Sequence, residues 1–172
     1  MPTPKPVPGS ILTPMKFARV NGGKITVGGP KKNWTLLIVY RGNHCPRCKK
    51  YLNILNNMRC DWNNAGFDIV VVSADSSKKA LADLTEFGWG FNLCYGLTEE
   101  QMATLGVYVT DPLSPEEADG RFAEPGTFIL REDGSQIIVS LSNGPAVRPE
   151  LTELLDGMIF NKNNDRPHRG TV

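Results

Sequence analysis

The chain has 172 residues, with 19 basic side chains against 18 acidic ones and a formal charge of +1, a balance that argues against a nucleic-acid binder or a polybasic membrane protein. A chain of this length fits one domain and buries roughly 70% of its unfolded surface, so it needs no disulfide staples. Four cysteines in such a chain point to reactive chemistry rather than a secreted disulfide framework, and no apolar run approaches the roughly 20 residues of a transmembrane helix.

The start, Met1-Pro2-Thr3-Pro4-Lys5-Pro6-Val7-Pro8, has no apolar signal core, which makes a cytoplasmic location the expectation. Its prolines disfavour helix and paired strand, so residues 1–8 read as an extended segment. Residues 9–160 read as the single domain. Lys16 to Val20 and Lys24 to Val27, separated by Asn21-Gly22-Gly23, predict a small hairpin. Trp34 to Tyr40 is apolar on both faces, as in a parallel strand covered by helices on each side. Pro46 to about Trp62 reads as one helix, with Leu52, Leu55, Met58 and Trp62 on its buried face. Phe67 to Ser73 is a second buried strand. Asp75 or Ser76 caps the next helix, whose inner face is Ala80, Leu81, Leu84 and Phe87 and whose end is Gly88.

Thr98-Glu99-Glu100-Gln101 matches a capping box, and its short helix ends at Gly106. The stretch from Tyr108 to Glu124 is polar, with Ser114-Pro115-Glu116-Glu117 placed to start one further helical turn. Thr127 to Leu130 and Gln136 to Leu141 flank Glu132-Asp133-Gly134, a hairpin signal. A last helix begins near Pro149 and buries Leu151, Leu154, Leu155, Met158 and Ile159, and residues 161–172 form a polar, loosely held tail. The order is that of an α/β domain with parallel crossovers.

The chemistry lies in Tyr40-Arg41-Gly42-Asn43-His44-Cys45-Pro46-Arg47-Cys48-Lys49-Lys50. It follows a buried strand and opens a helix, and open α/β sheets keep their active crevice at such a junction. Pro46 favours the first helical position, which makes Cys45 the N-cap and turns its sulfur toward free N–H groups and the positive end of the helix dipole. Arg41, Arg47, Lys49 and Lys50 add positive charge with no acid among them. Both effects favour the thiolate, the reactive form of cysteine, so Cys45 is the expected attacking sulfur. Cys48, one turn further in, is placed to resolve a mixed disulfide. A zinc site would need a second ligand pair; the other cysteines are single, and of the two histidines His44 adjoins the pair while His168 lies in the tail. Cys60 would lie about 22 Å from Cys45 along one straight helix, beyond the roughly 7 Å a disulfide spans. Cys94 reads as a small core residue. His44 either tunes Cys45 or faces solvent.

The segment from Tyr40 to Cys48 resembles the tyrosine-arginine-glycine-x-x-cysteine-proline-x-cysteine signature of the peroxiredoxin-like branch of the thioredoxin-like superfamily, the alkyl hydroperoxide reductase/thiol-specific antioxidant group. The resemblance spans about Gly9 to Phe160 and includes Pro125-Gly126-Thr127-Phe128-Ile129-Leu130 and the loop Ser142 to Arg148. It implies a single thioredoxin-like domain, with a mixed central sheet flanked by helices and an N-terminal β-hairpin. It also implies that Pro125 is cis and lies against the cysteine pair. Three positions depart from the family pattern. Gly42 stands where peroxiredoxins have threonine, Ile38 where they have proline, and Pro125 where they have an arginine. Arg41 or Arg148 is left to supply a guanidinium, each also readable as a surface or structural arginine. Tryptophan, which precedes the first cysteine in thioredoxins, is replaced by His44.

The expected activity is that of a thiol–disulfide oxidoreductase or peroxiredoxin-like antioxidant protein. Its expected site residues are Cys45, Cys48, Pro125, Arg41 and His44, and it uses no cofactor and no metal. The expected partners are a hydroperoxide or disulfide substrate and an external thiol reductant from a thioredoxin or glutathione system, with no nucleic acid and no membrane; a homodimer is compatible with the resemblance. The competing reading is a non-enzymatic redox-sensing or binding module with a switchable Cys45–Cys48 disulfide.

Overall fold

In the computed structural model, which describes residues 4–172, the strand–helix alternation builds a mixed seven-stranded sheet. β1 (Met15–Arg19) and β2 (Lys24–Val27) form the N-terminal hairpin, with Met15 opposite Val27 and Ala18 opposite Lys24. β3 (Trp34–Val39) leads into α1 (Pro46–Asn57) and α2 (Arg59–Asn64), then β4 (Phe67–Val72), α3 (Ser77–Phe87), β5 (Asn92–Tyr95) and α4 (Glu99–Leu105). β6 (Val109–Thr110) and β7 (Phe122–Ala123) form a separate two-stranded ribbon, and β8 (Gly126–Leu130), β9 (Gln136–Leu141) and α5 (Leu151–Asn163) complete the chain.

The sheet order is β2-β1-β5-β4-β3-β8-β9. β3 runs parallel to β4 and antiparallel to β8, which places Val39 beside Val72 on one side and Gly126 on the other. Because side chains alternate along a strand, the apolar run of β3 divides between two cores. Leu36 and Ile38 join Ile69, Val71, Leu52 and Leu55 on one face. Leu37 and Val39 join Val70, Val72, Met102 and Leu105 on the other. A central strand buried on both faces reads as a continuous apolar run for this reason. Among the described residues no helix is long and apolar enough to cross a membrane.

Several elements differ from the sequence expectation. The helix from Pro46 breaks at Met58, whose N–H turns back to the carbonyls of Ile54 and Leu55. Asn56 and Asn57 are weak helix formers at this point. The break lets Trp62 turn into the core, edge-on to Phe67 with ring centroids 5.2 Å apart, and puts Cys60 on α2 as an exposed free thiol. On α3 Leu81 faces solvent at 52% exposure while Asp83 is fully buried. Leu154 is only partly buried and Ile159 is exposed on α5. Ser114 to Glu117 closes as one hydrogen-bonded turn, Glu117 N–H to Ser114 O at 3.1 Å, not as helix. The capping box forms in full, with Thr98 and Gln101 bonding reciprocally across the first turn of α4.

The two ends of the domain are tied to the β8–β9 hairpin. Gly9 N–H donates to Gln136 O at 2.7 Å, Gln136 N–H donates to Ser10 O at 3.0 Å, and Ile11 bridges Ser135. The C-terminal segment expected to hang loose packs on the same turn: His168 Nε2 lies 3.0 Å from Ser135 Oγ, and Arg131 donates to Arg166 O. Lys162 also donates to the carbonyls of Ala65 and Gly66. Gly134 turns the hairpin at φ 84°, where an added Cβ would lie 2.6 Å from the backbone nitrogen of Gly29, so only glycine fits.

Leu52 on α1 is completely buried against β3 and β4. Leu52→Ala should cost about 2–5 kcal/mol, read as a lower urea midpoint; a loss below about 1 kcal/mol would show that α1 is not seated as described.

Candidate active site

The loop from Tyr40 to Cys45 leaves the carboxyl end of β3 and turns directly into α1. Cys45 is the N-cap, with extended backbone at φ −105° and ψ 99°, and the Cys48 N–H donates to its Sγ at 3.2 Å. The two cysteines form a disulfide with Cα atoms 5.3 Å apart. Cys45 is 1% exposed and Cys48 fully buried; both belong to the same core cluster as Leu52, Leu55 and Trp62.

The loop is held from below by carboxylates. Asn43 N–H donates to Asp75 Oδ2 at 2.8 Å, and its side-chain amide donates to Asp83 Oδ1 at 2.7 Å. Ser73 Oγ donates to the same Asp75 oxygen at 3.0 Å, and Lys49 Nζ pairs with Asp83 Oδ1 at 3.3 Å. Ser76 rather than Asp75 caps α3, which leaves the Asp75 carboxylate for Asn43. Burial pushes both carboxyls above the ordinary aspartate range, against the opposing pull of these hydrogen bonds. Gly42 is the reason for one departure from the family pattern. Its φ is 135°, and an added Cβ would lie 2.6 Å from Asp75 Oδ1, so threonine has no room there.

Of the other residues expected at the site, Arg41 and His44 lie in the loop itself. Arg41 is committed elsewhere: its guanidinium pairs with Glu124 at 3.2 Å and Glu117 at 3.8 Å and lies 4.9 Å over the Phe122 ring. His44 also packs on Phe122, with ring centroids 4.7 Å apart. Burial first, and then the Arg41 charge, hold its imidazole below the ordinary histidine range, so it is neutral at pH 7. Pro125 is a correction, because no peptide bond among the described residues is cis. It lies in the buried lead-in to β8, where Glu124 N–H donates to Tyr108 O at 2.8 Å and Ser142 N–H donates to Pro125 O at 3.0 Å. These bonds hold the segment with the isomer that X-Pro bonds intrinsically prefer.

Arg148 is the guanidinium at the disulfide. Its Nη2 donates to Cys48 Sγ at 3.0 Å and its Nη1 to Arg47 O at 3.2 Å, while the group lies 5.0 Å over the Tyr51 ring. Tyr51 in turn donates to Pro149 O at 2.7 Å, fixing the loop that carries Arg148. Burial draws the guanidinium below its ordinary value. Cys94 takes no part: it is buried on β5, and burial pushes its thiol up to about 12. Among the described residues no three His, Cys, Asp or Glu side chains group to hold a metal.

Asp75, Asp83 and Asn43 were not expected at the site. The signal for Asp83 was a carboxylate three residues after Ala80 and four before Phe87, on the inner face of α3.

Because the folded chain holds the Asp75 and Asp83 protons more tightly than the unfolded chain, these carboxyls favour folding as pH falls through their raised values toward about 3.9, and that contribution is lost as pH rises. A carbon-detected NMR titration should place both carboxyl midpoints above about 3.9; midpoints at or below that value would mean that the hydrogen bonds outweigh desolvation. Gly42→Thr should destabilise the fold by about 1–3 kcal/mol through the left-handed backbone and the Asp75 overlap, and an unchanged melting temperature would contradict the geometry.

The model of the AhpC/TSA family matches residues 8–137. No curated protein matches the chain. Among solved structures, the chain is similar to a mutant of peroxiredoxin 6 of Arenicola marina at TM-score 0.72 and 16% identity, covering 92% of this chain and 74% of that one. A peroxiredoxin-like protein from Aquifex aeolicus gives TM-score 0.69 and 21% identity over 90% and 86% of the two chains. The mitochondrial 2-Cys peroxiredoxin from Plasmodium falciparum gives 0.69 and 18% over 92% and 98%. At these identities the structures establish the thioredoxin-like fold, and the family match, which covers most of the chain, adds the thiol-based oxidoreductase activity that the Cys45–Cys48 disulfide fits: this chain belongs to the AhpC/TSA family.

Proposed function

We propose that Cys45 meets the oxidised substrate and Cys48 resolves it, in a dithiol cycle closed by an external thiol. The observation that carries this assignment is the division of stabilising groups between the sulfurs. Cys45 Sγ occupies the N-cap position of α1 and accepts the Cys48 N–H, whereas Cys48 Sγ accepts from Arg148. Helix N-terminal donors and a guanidinium each lower a thiol's pKa. In the reduced pair these contacts favour the charged form of Cys45 at the attack and of Cys48 at the resolving step.

With a disulfide substrate, the Cys45 thiolate forms a mixed disulfide and expels one substrate thiolate; Cys48 then attacks Cys45 Sγ and expels the other. With a hydroperoxide, Cys45 takes the terminal oxygen as a sulfenic acid, the alkoxide leaves as the protonated alcohol, and Cys48 displaces water. Family membership supports a hydroperoxide as oxidant and a thiol as reductant. The site itself favours disulfide exchange: Gly42 carries no hydroxyl, and Arg41 is neutralised by Glu117 and Glu124. The hydroxyl half of the family's peroxide-holding pair is thus missing, and Arg41 is not its free arginine.

Cys45→Ser should bring turnover of both oxidants to the uncatalysed background. Cys48→Ser should instead stop after one equivalent, with Cys45 recovered as a sulfenic acid or mixed disulfide by mass spectrometry. Undiminished turnover in Cys45→Ser would overturn the assignment, and stoichiometric oxidation of the wild-type protein without turnover would favour a redox sensor.

A further inference from the structure

Beside the disulfide lies a cleft of about 310 Å³ between α1 and the loop before α5. Arg47, Lys50 and Arg148 line it with Tyr51, Ile54 and Pro145. Its one carboxylate, Glu150, already accepts from the N–H groups of Thr152 and Glu153 at the start of α5. Three cations thus share the cleft with a carboxylate that serves another helix. Arg148 is the anomaly among them. It is partly buried, yet among the described residues it has no carboxylate within 4 Å, and its Nε has no partner. A guanidinium withdrawn from water is ordinarily paired with an anion. Here it rests on a sulfur and an aromatic face instead.

We propose that this cleft binds a small carboxylate-bearing thiol, the reductant of the cycle, and delivers it to Cys48; this rests on the dithiol reading above. The volume suits a small molecule rather than a protein segment, and the charge calls for an anion. Arg148 joins the two sites, because it lines the cleft and covers a sulfur that has no exposure of its own. Pairing with the incoming carboxylate gives the guanidinium its missing counterion and draws it from Cys48. The thiolate then bonds to Cys48 Sγ, the Cys45–Cys48 bond breaks, and its electron pair remains on Cys45, held by the Cys48 N–H. A second thiolate attacks the bound thiol's sulfur, forms the external disulfide and releases Cys48 as a thiolate. Two thiols lose two electrons and the protein gains them. The chain would therefore meet its oxidant at Cys45 and its reductant at Cys48.

The test follows reduction of the oxidised protein by 3-mercaptopropionate, 2-mercaptoethanol and cysteamine, which are anionic, neutral and cationic, with rates expressed per thiolate. The anionic thiol should exceed the neutral one by about fivefold at low salt, the upper end for a partly exposed ion pair, and the cationic one should fall below it. In Lys50→Glu the anionic-to-neutral ratio should fall to one or less. The ratio is taken within one protein sample, so a change in folded fraction does not mimic it. Acid-quenched peptide mapping should find the first adduct on Cys48. Equal rates for the three thiols, a ratio insensitive to Lys50→Glu, an adduct on Cys45, or a thioredoxin-type protein reducing the disulfide while small thiols show no charge preference would each overturn the cleft proposal. Failure of every thiol and protein reductant to open the disulfide would instead remove the dithiol cycle itself.

Discussion

The hydrogen bonds from Asn43 to two buried aspartates are the constraint on which the site depends. A helix N-cap requires a non-helical residue held at a defined angle to the helix, and here that angle is set by the loop between β3 and α1. Asn43 fastens the loop to Asp75 at the end of β4 and to Asp83 on α3. The disulfide is therefore referenced to the central sheet and a second helix, not only to its own. Burying carboxylates is costly unless they are hydrogen-bonded, and these are, by groups that also place the cysteine. One set of contacts satisfies the carboxylates and orients the sulfur.

The redox pair is continuous with the hydrophobic core. Cys45 and Cys48 share a cluster with Leu52, Leu55 and Trp62, so the packing that stabilises α1 also removes the sulfurs from water. Shielding of this kind protects a thiolate from unselective oxidation, but it requires a group that yields when the proper partner arrives. In the disulfide state Arg148 holds Cys48 through contacts to a sulfur, a carbonyl and a ring, none of them a full charge, which is what the proposed displacement by an anion requires.

The local pattern of the sequence was enough to locate the sheet, the cysteine pair at its carboxyl edge, the capping box at Thr98 and the hairpin at Gly134, because each depends on neighbours in the chain. What escaped depends on contacts distant in sequence. Asp83 meets Asn43 across 40 positions and Arg148 meets Cys48 across 100, and neither contact leaves a periodicity. The break at Met58 was hidden because Met58 and Trp62 satisfy the helical spacing on either side of it. The trans peptide before Pro125 ran against the expectation taken from resemblance, at the very position where this chain also lacks the family arginine. The short β6–β7 ribbon was invisible because two-residue strands carry almost no pattern.

The pairing of Gly9 and Ser10 with Gln136, and of His168 with Ser135, brings the two ends of the domain to one hairpin turn. Because β8 runs antiparallel to β3, with Gly126 beside Val39 and Leu130 beside Thr35, that turn lies at the opposite end of the sheet from the cysteines. Gly9 and His168 are thus anchored at the end of the sheet remote from the disulfide. Domain boundaries so close together are also the arrangement in which circular permutation is best tolerated. New termini could be opened elsewhere on the surface, and Gly9 joined to the segment at His168 by a short linker, without disturbing the redox pair.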